Sequence, residues 1–222
     1  MASVASSVAS SVASSIASGA CVGWSETLVG YPFVTCKVLL QNGASCWGHP
    51  LRRYYWGVKY PLMSSVGFNM VVFPLHEFLC ADTGHVVGGA LSGLVVSPAV
   101  YFFDKRMVRC QVATSTAMST ARSRGFGMTC CREVLAMSAY FGVYYRAREE
   151  YGSLLSGGAA GLANWTLTYP LDTLRNRQIA QGCSVRAALK QGRLWRGYSF
   201  AASRSVVVNA VSFTLWEFLR YK

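Results

Sequence analysis

The chain alternates between long apolar stretches and short basic ones. Uncharged runs cover residues 60–76, 86–103 and 151–171, and the last two approach the roughly 20 residues that a helix needs to cross a hydrocarbon core. Three further stretches, 19–41, 128–145 and 204–216, are apolar but interrupted or bounded by a charge. Such a span is tolerated when its polar residues turn towards a shared interior rather than lipid. The pattern therefore predicts six membrane-spanning helices.

The basic residues sharpen that picture. Arg52, Arg53 and Lys59 fall between the first and second predicted spans, and Lys105, Arg106, Arg109, Arg122 and Arg124 between the third and fourth. Arg175, Arg177, Arg186, Lys190, Arg193 and Arg196 fall between the fifth and sixth, whereas the opposite side carries only Arg146, Arg148, Arg220 and Lys222. Loops rich in Lys and Arg stay on the inner side of a membrane, so the odd-to-even loops are expected inside and both termini outside. With 222 residues, 52% hydrophobic, 14% charged and a net charge of +12, intrinsic disorder is excluded. A soluble globule, with about a quarter of its residues charged, fits poorly. Nucleic-acid binding, the competing reading of a basic chain, would want a basic stripe on a polar fold.

Candidate chemistry is sparse. The eight cysteines (21, 36, 46, 80, 110, 130, 131 and 183) include no CxxC pair, and His49, His76 and His85 are scattered along the chain. That spacing gives no support for a metal site, and buried single thiols acting as small hydrophobes are expected. The few carboxylates have no histidine or nucleophile at useful spacing, so no catalytic residues and no enzyme are expected. Residues 1–18 form a low-complexity Ala/Ser/Val segment with Val or Ile at 4, 8, 12 and 16 and no charge. It has neither the basic n-region of a secretory signal nor the arginines of a mitochondrial presequence. It reads either as a tail or as small residues packing a helix closely on a neighbour.

Self-similarity predicts the architecture. Pro32, Pro98 and Pro170 each follow a glycine by nine residues (Gly23, Gly89, Gly161), and Gly57, Gly125 and Gly197 lie 25, 27 and 27 residues downstream. Sixteen residues after each of those comes Phe73, Phe141 or Phe213. Three such coincidences in phase mean a unit of a helix, an inner loop and a second helix, copied as residues 19–80, 81–150 and 151–222. A proline inside a spanning helix removes a backbone hydrogen bond and kinks it. Three kinks around a pseudo-threefold axis would bring the inner helix ends together under a closed basin, and the preceding glycines would permit close helix contact.

These residues resemble the mitochondrial carrier family. Tyr169-Pro-Leu-Asp-Thr-Leu-Arg-Asn-Arg177 is similar to its signature Pro-x-[Asp/Glu]-x-x-[Lys/Arg]-x-[Lys/Arg]. Trp195-Arg-Gly197 with Arg204, Phe213, Trp216-Glu217 and Arg220 resembles the second half of its repeat. Ala139–Tyr144 and Lys37–Gln41 are locally similar to ADP/ATP carriers. The resemblance implies an all-α membrane protein of the mitochondrial inner membrane: six transmembrane helices in three pseudo-repeats, short matrix helices, and a central cavity gated at each side by rings of ion pairs. On the matrix side it implies a gate of Lys37, Asp172 and Arg175, with Asp172 meeting Lys37, Arg175 lacking its acid, and Val34, Val100 and Phe103 in place of charges. On the outer side it implies Glu77, Arg148, Glu217 and Arg220, with Glu77 meeting Arg148 as the one surviving pair.

The same resemblance places solute contacts at Ser64, Arg132, Glu133 and Arg204. An arginine within a membrane is expensive and is by default functional, and an Arg-Glu pair suits an amino acid's carboxylate and amine. The competing reading is a hydrated but idle cavity. The arginine triplet of ADP/ATP carriers is absent, its place reading Arg175-Asn-Arg-Gln-Ile-Ala180, so nucleotide exchange is not expected. Gly57, Arg124, Gly125, Arg196 and Gly197 are expected at helix starts that bind phosphate through free N–H groups. In the family such sites hold cardiolipin, the one bound lipid expected, in keeping with basic inner pockets. Loss concentrated on gate positions favours a structural accessory subunit of a larger inner-membrane complex, respiratory or ATP synthase. The alternative is an active exchanger of a small amino-acid-like or anionic metabolite.

Overall fold

The computed structural model describes residues 23–112 and 124–205, together with 207, 208 and 211. All regular structure among them is helical: α1 (23–41), α2 (Leu51–Tyr54), α3 (Lys59–Thr83), α4 (His85–Val112), α5 (Phe126–Gln181), α6 (Val185–Lys190) and α7 (198–205). α5 is two helices joined at Gly152, whose φ of 73° and ψ of 169° break the backbone pattern. Gly125 at its start lies against Gln178 and Ile179 near its end, so the two limbs run antiparallel. Gly84, with φ of 79°, similarly separates α3 from α4. Both conformations lie in the region that residues with a Cβ avoid.

What the helices bury is inverted relative to a soluble protein. α4 turns Gly88, Gly89, Ser92, Gly93, Ser97 and Gln111 inwards while Leu91, Leu94, Val95 and Phe102 are exposed. Elsewhere Thr35, Gln41, Thr129 and Thr168 are buried and Leu135, Leu162 and Leu167 are exposed. Water would reward the opposite arrangement, whereas lipid favours an apolar exterior around small and polar helix contacts. α4 alone among the described helices is long and apolar enough by itself to cross a membrane. The others dilute their apolar surface with interior polar residues.

Two apolar clusters hold the bundle. Val38 of α1, Val108 of α4 and Ile179 and Ala180 of α5 pack at the end bearing α2 and α6, with Val34 against them. Val72 of α3, Val96 of α4 and Phe141 of α5 form the second, which Val100 joins. α7 closes on α1, since a Cβ on Gly30 would lie 2.7 Å from Arg204 Nε and 2.9 Å from Val208.

One arrangement occurs three times. The Tyr31 hydroxyl donates to the carbonyl of Trp56 (2.6 Å), that of Tyr169 to Arg196 (3.1 Å), and that of Tyr101, at longer range, to Arg124 (3.5 Å). Each acceptor immediately precedes one of the in-phase glycines, Gly57, Gly125 and Gly197, whose φ values are 86°, 110° and 88°. A side chain from a proline-containing helix thus fixes the turn into the next helix. Pro98 and Pro170 lie within α4 and α5, and Pro32 within α1. Of the expected short matrix helices, α2 and α6 are present, and the corresponding stretch 113–123 lies outside the described residues.

The glycines nine residues before the kinks are not equivalent. A Cβ on Gly89 would stand 2.7 Å from the Met137 carbonyl oxygen, but one on Gly23 or Gly161 would have nothing within 4 Å among the described residues. The tightest approach is at Gly93, one turn on, where a Cβ would lie 2.5 Å from the Glu133 carbonyl oxygen. Backbone cannot swing aside, so Gly93→Ala must separate α4 from α5. A loss of about 1–3 kcal/mol is expected, read as a lower thermal midpoint in detergent. Gly161→Ala, which removes a glycine from a helix without a clash, should leave the midpoint unchanged or raise it.

Candidate functional site

Six charged side chains meet inside the bundle. α1 contributes Lys37, α4 Asp104, the first limb of α5 Arg132 and Glu133, and its second limb Asp172 and Arg175. Lys37 Nζ lies 2.9 Å from Asp172 Oδ2. Arg175 reaches Asp104 Oδ2 at 2.8 Å, Asp172 Oδ1 at 3.3 Å and Glu133 Oε1 at 3.7 Å. Arg132 pairs with Glu133. Three cations face three acids, so the set is neutral, as a desolvated cluster must be to avoid an uncompensated charge. Trp165 sits beside it, with Lys37 Nζ 4.7 Å and the Arg132 guanidinium 5.7 Å from its ring, within cation–π range.

Amide side chains complete the α1–α5 contact. Gln41 donates to Asp172 and Thr173, and Asn176 donates to Gln41 Oε1 at 2.7 Å and to Asp172 at 3.2 Å. Arg177 donates from Nε to the Gln41 carbonyl and from one terminal nitrogen to the carbonyls of Ala188 and Gly192. The signature's last arginine thereby caps the carbonyl end of α6, where a cation also opposes the helix dipole. Gln41 stands one helical turn after Lys37; that i, i+4 spacing was the available signal for its part in the cluster.

Arg175 does not lack an acid. Asp104, six residues after Pro98 and so off the family's gate offsets, supplies one. Its carboxylate is also the accessible one: its side chain is 24% exposed, against 1% for Asp172 and for Glu133. Val34 and Val100, at positions expected to carry charges, pack into the apolar clusters.

The remaining candidates are dispersed. Ser64 is half-buried, its hydroxyl donating to the Pro61 carbonyl at 3.3 Å. Arg204 packs over Gly30 of α1, with Glu26 close enough to act on its charge. Glu77 and Arg148 are both exposed, and no ion pair joins them among the described residues; Arg148 instead lies over the Tyr144 ring. Glu217 and Arg220, with Phe213, fall outside the described residues. Gly57 lines a cleft of about 430 Å³ with Arg52 and Lys59, and Arg196 lines one of about 240 Å³ with Arg177 and Arg193. Gly125 caps α5 with no side-chain hydrogen bond at its N-terminus, and Gly197 packs against the Tyr169 hydroxyl. The histidines are less scattered than their spacing suggests, since the rings of His76 and His85 lie 5.8 Å apart across the α3–α4 break.

A helical bundle that is apolar outside and charged within suits a lipid environment better than water. Residues 147–221 match the family model described as mitochondrial carrier protein. Similar curated proteins include the mitochondrial arginine transporter BAC2 of Arabidopsis thaliana, 25% identical over 88% of this chain and 86% of its own length. The mitochondrial basic amino acids transporter of Bos taurus is 24% identical over 88% and 87%. The mitochondrial ornithine transporter 1 of Schizosaccharomyces pombe is 22% identical over 86% and 82%. These three relatives are named for basic amino acids, and none of the three for ADP or ATP. Being named as transporters, they favour the exchanger alternative over an accessory subunit.

Proposed function

We propose that this chain is a six-span mitochondrial inner-membrane exchanger for a basic amino acid. The observation that carries the reading is the neutral interior cluster with one accessible acid. An amino acid's carboxylate would take Arg132 and its α-amine Glu133, exchanging one internal ion pair for two external ones at no net change in charge. A cationic side chain would then need a further carboxylate, and Asp104 is the one within solvent reach. The three units 19–80, 81–150 and 151–222, with both termini towards the intermembrane space, follow from the repeat and the loop charges. The Lys37–Asp172–Arg175–Asp104 contacts act as the matrix gate, shut in this state. Glu77, Arg148, Glu217 and Arg220 act as the outer gate, with Glu77 and Arg148 apart. Arg204 and Ser64 line the path between. Cardiolipin phosphate fits the basic clefts at Gly57 and Arg196 and the uncapped helix start at Gly125.

Proteoliposomes loaded with arginine test this directly. Uptake of labelled arginine, lysine and ornithine should saturate and depend on internal substrate. ADP should not exchange, and a neutral amino acid should do so only weakly. Absence of saturable exchange with all of these solutes would sink the proposal.

A further inference from the structure

His76, Cys80 and His85 form a second chemical centre, well separated in sequence from the charge cluster. His76 and Cys80 are one turn apart on α3, and His85 opens α4 just past the Gly84 break. The helices are held together here, because a Cβ on Gly88 would lie 3.0 Å from the Cys80 backbone. The candidate ligand atoms of the three side chains all lie within 4.8 Å of one another. His76 is only 1% exposed, yet among the described residues neither ring nitrogen has a hydrogen-bond partner, although the Gly88 backbone is close. A buried imidazole with both nitrogens unsatisfied is an unfavourable arrangement in search of a ligand.

Packing leaves the ligand edges free. The His76 ring lies flat on Phe141 (centroids 3.5 Å apart, planes 2° apart) and the His85 ring flat on Tyr145 (3.7 Å, 6°). Stacking occupies the ring faces, whereas an imidazole nitrogen binds a metal in the ring plane. Among the described residues the Cys80 thiol donates only to the Glu77 carbonyl, at 3.4 Å, a contact that a thiolate–metal bond replaces.

We propose that His76, Cys80 and His85 bind a zinc-class divalent cation. Two imidazoles and one thiolate suit a borderline-soft ion, leaving a fourth position to water. Bond lengths of about 2.0–2.3 Å place tetrahedral ligand atoms roughly 3.3–3.7 Å apart, so the side chains draw in by about 1 Å. The Cys80 thiol gives up its proton to solvent on binding. The bound ion ties the end of α3 to the start of α4.

Cobalt(II) titration of the full chain in detergent reads the site, since thiolate-to-cobalt charge transfer reports sulfur ligation. One equivalent should give that absorption, and zinc should displace it. Cys80→Ser should abolish it, and His85→Ala should weaken binding by more than the roughly 10–100-fold that loss of even an outer partner causes. Cys36→Ser and Cys131→Ser should leave it intact. Zinc should also protect Cys80 of the native chain from alkylation, a readout that needs no variant to fold. No charge-transfer band, a band that survives Cys80→Ser, or a Cys80 alkylated equally fast with zinc would each overturn the assignment.

Discussion

Asp172→Asn is expected to lower stability by about 3–5 kcal/mol, the usual consequence of removing one member of a buried charge pair. Asp172 receives Lys37, Gln41 and Asn176 on one oxygen and Arg175 on the other. Asparagine keeps the shape but removes the charge, leaving three interior cations facing two acids. For a chain of this size the thermal midpoint in detergent should fall by roughly 10 °C. A companion variant separates a cluster from a simple pair. Lys37→Met/Asp172→Leu removes both partners of the ion pair between α1 and α5, and an isolated pair would tolerate that well. Here Arg175, Gln41 and Asn176 each lose one of their acceptors with nothing in its place, so the double variant should remain destabilised. Native-like melting of either variant would mean that the contact contributes little to holding α1 against α5.

The Lys37–Asp172 contact was legible in the sequence because both residues stand at fixed offsets from kink prolines, five after Pro32 and two after Pro170. Asp104 was not, because it follows Pro98 by six and a repeat only predicts residues that keep phase. Its signal was of another kind: it is the sole carboxylate in the long stretch from Gly84 to Arg132. A lone acid in a span has to find a cation. Because Asp104 is off those offsets, the resemblance implied an Arg175 without an acid, whereas the structure pairs the two. Small-residue spacing pointed to a close approach that the structure has at Gly89. A glycine permits close approach without requiring it, so among the described residues Gly23 and Gly161 have no neighbour within 4 Å while Gly93, out of phase, carries the tightest contact. The proximity of His76 to His85 depends on the single-residue break at Gly84, which no ligand-spacing rule encodes.

Glu133→Gln should impair exchange and destabilise the fold together, and the two effects can be pulled apart. The variant leaves Arg132, 15% exposed, without its carboxylate and removes a second acid from Arg175. A loss of about 3–5 kcal/mol is expected. If Glu133 also receives the solute's amine, removing a charged hydrogen bond of about 1.5–3 kcal/mol weakens solute recognition by roughly 10–100-fold. The variant Arg132→Gln/Glu133→Gln distinguishes the roles, since it deletes both charges and leaves the interior neutral again. Its melting midpoint should recover most of the way to the native value, because a buried pair replaced as a pair is nearly free. Its arginine exchange should not recover, because neither the carboxylate nor the amine of the solute finds a partner. Recovery of both would mean that this pair is structural and that the solute binds elsewhere in the bundle.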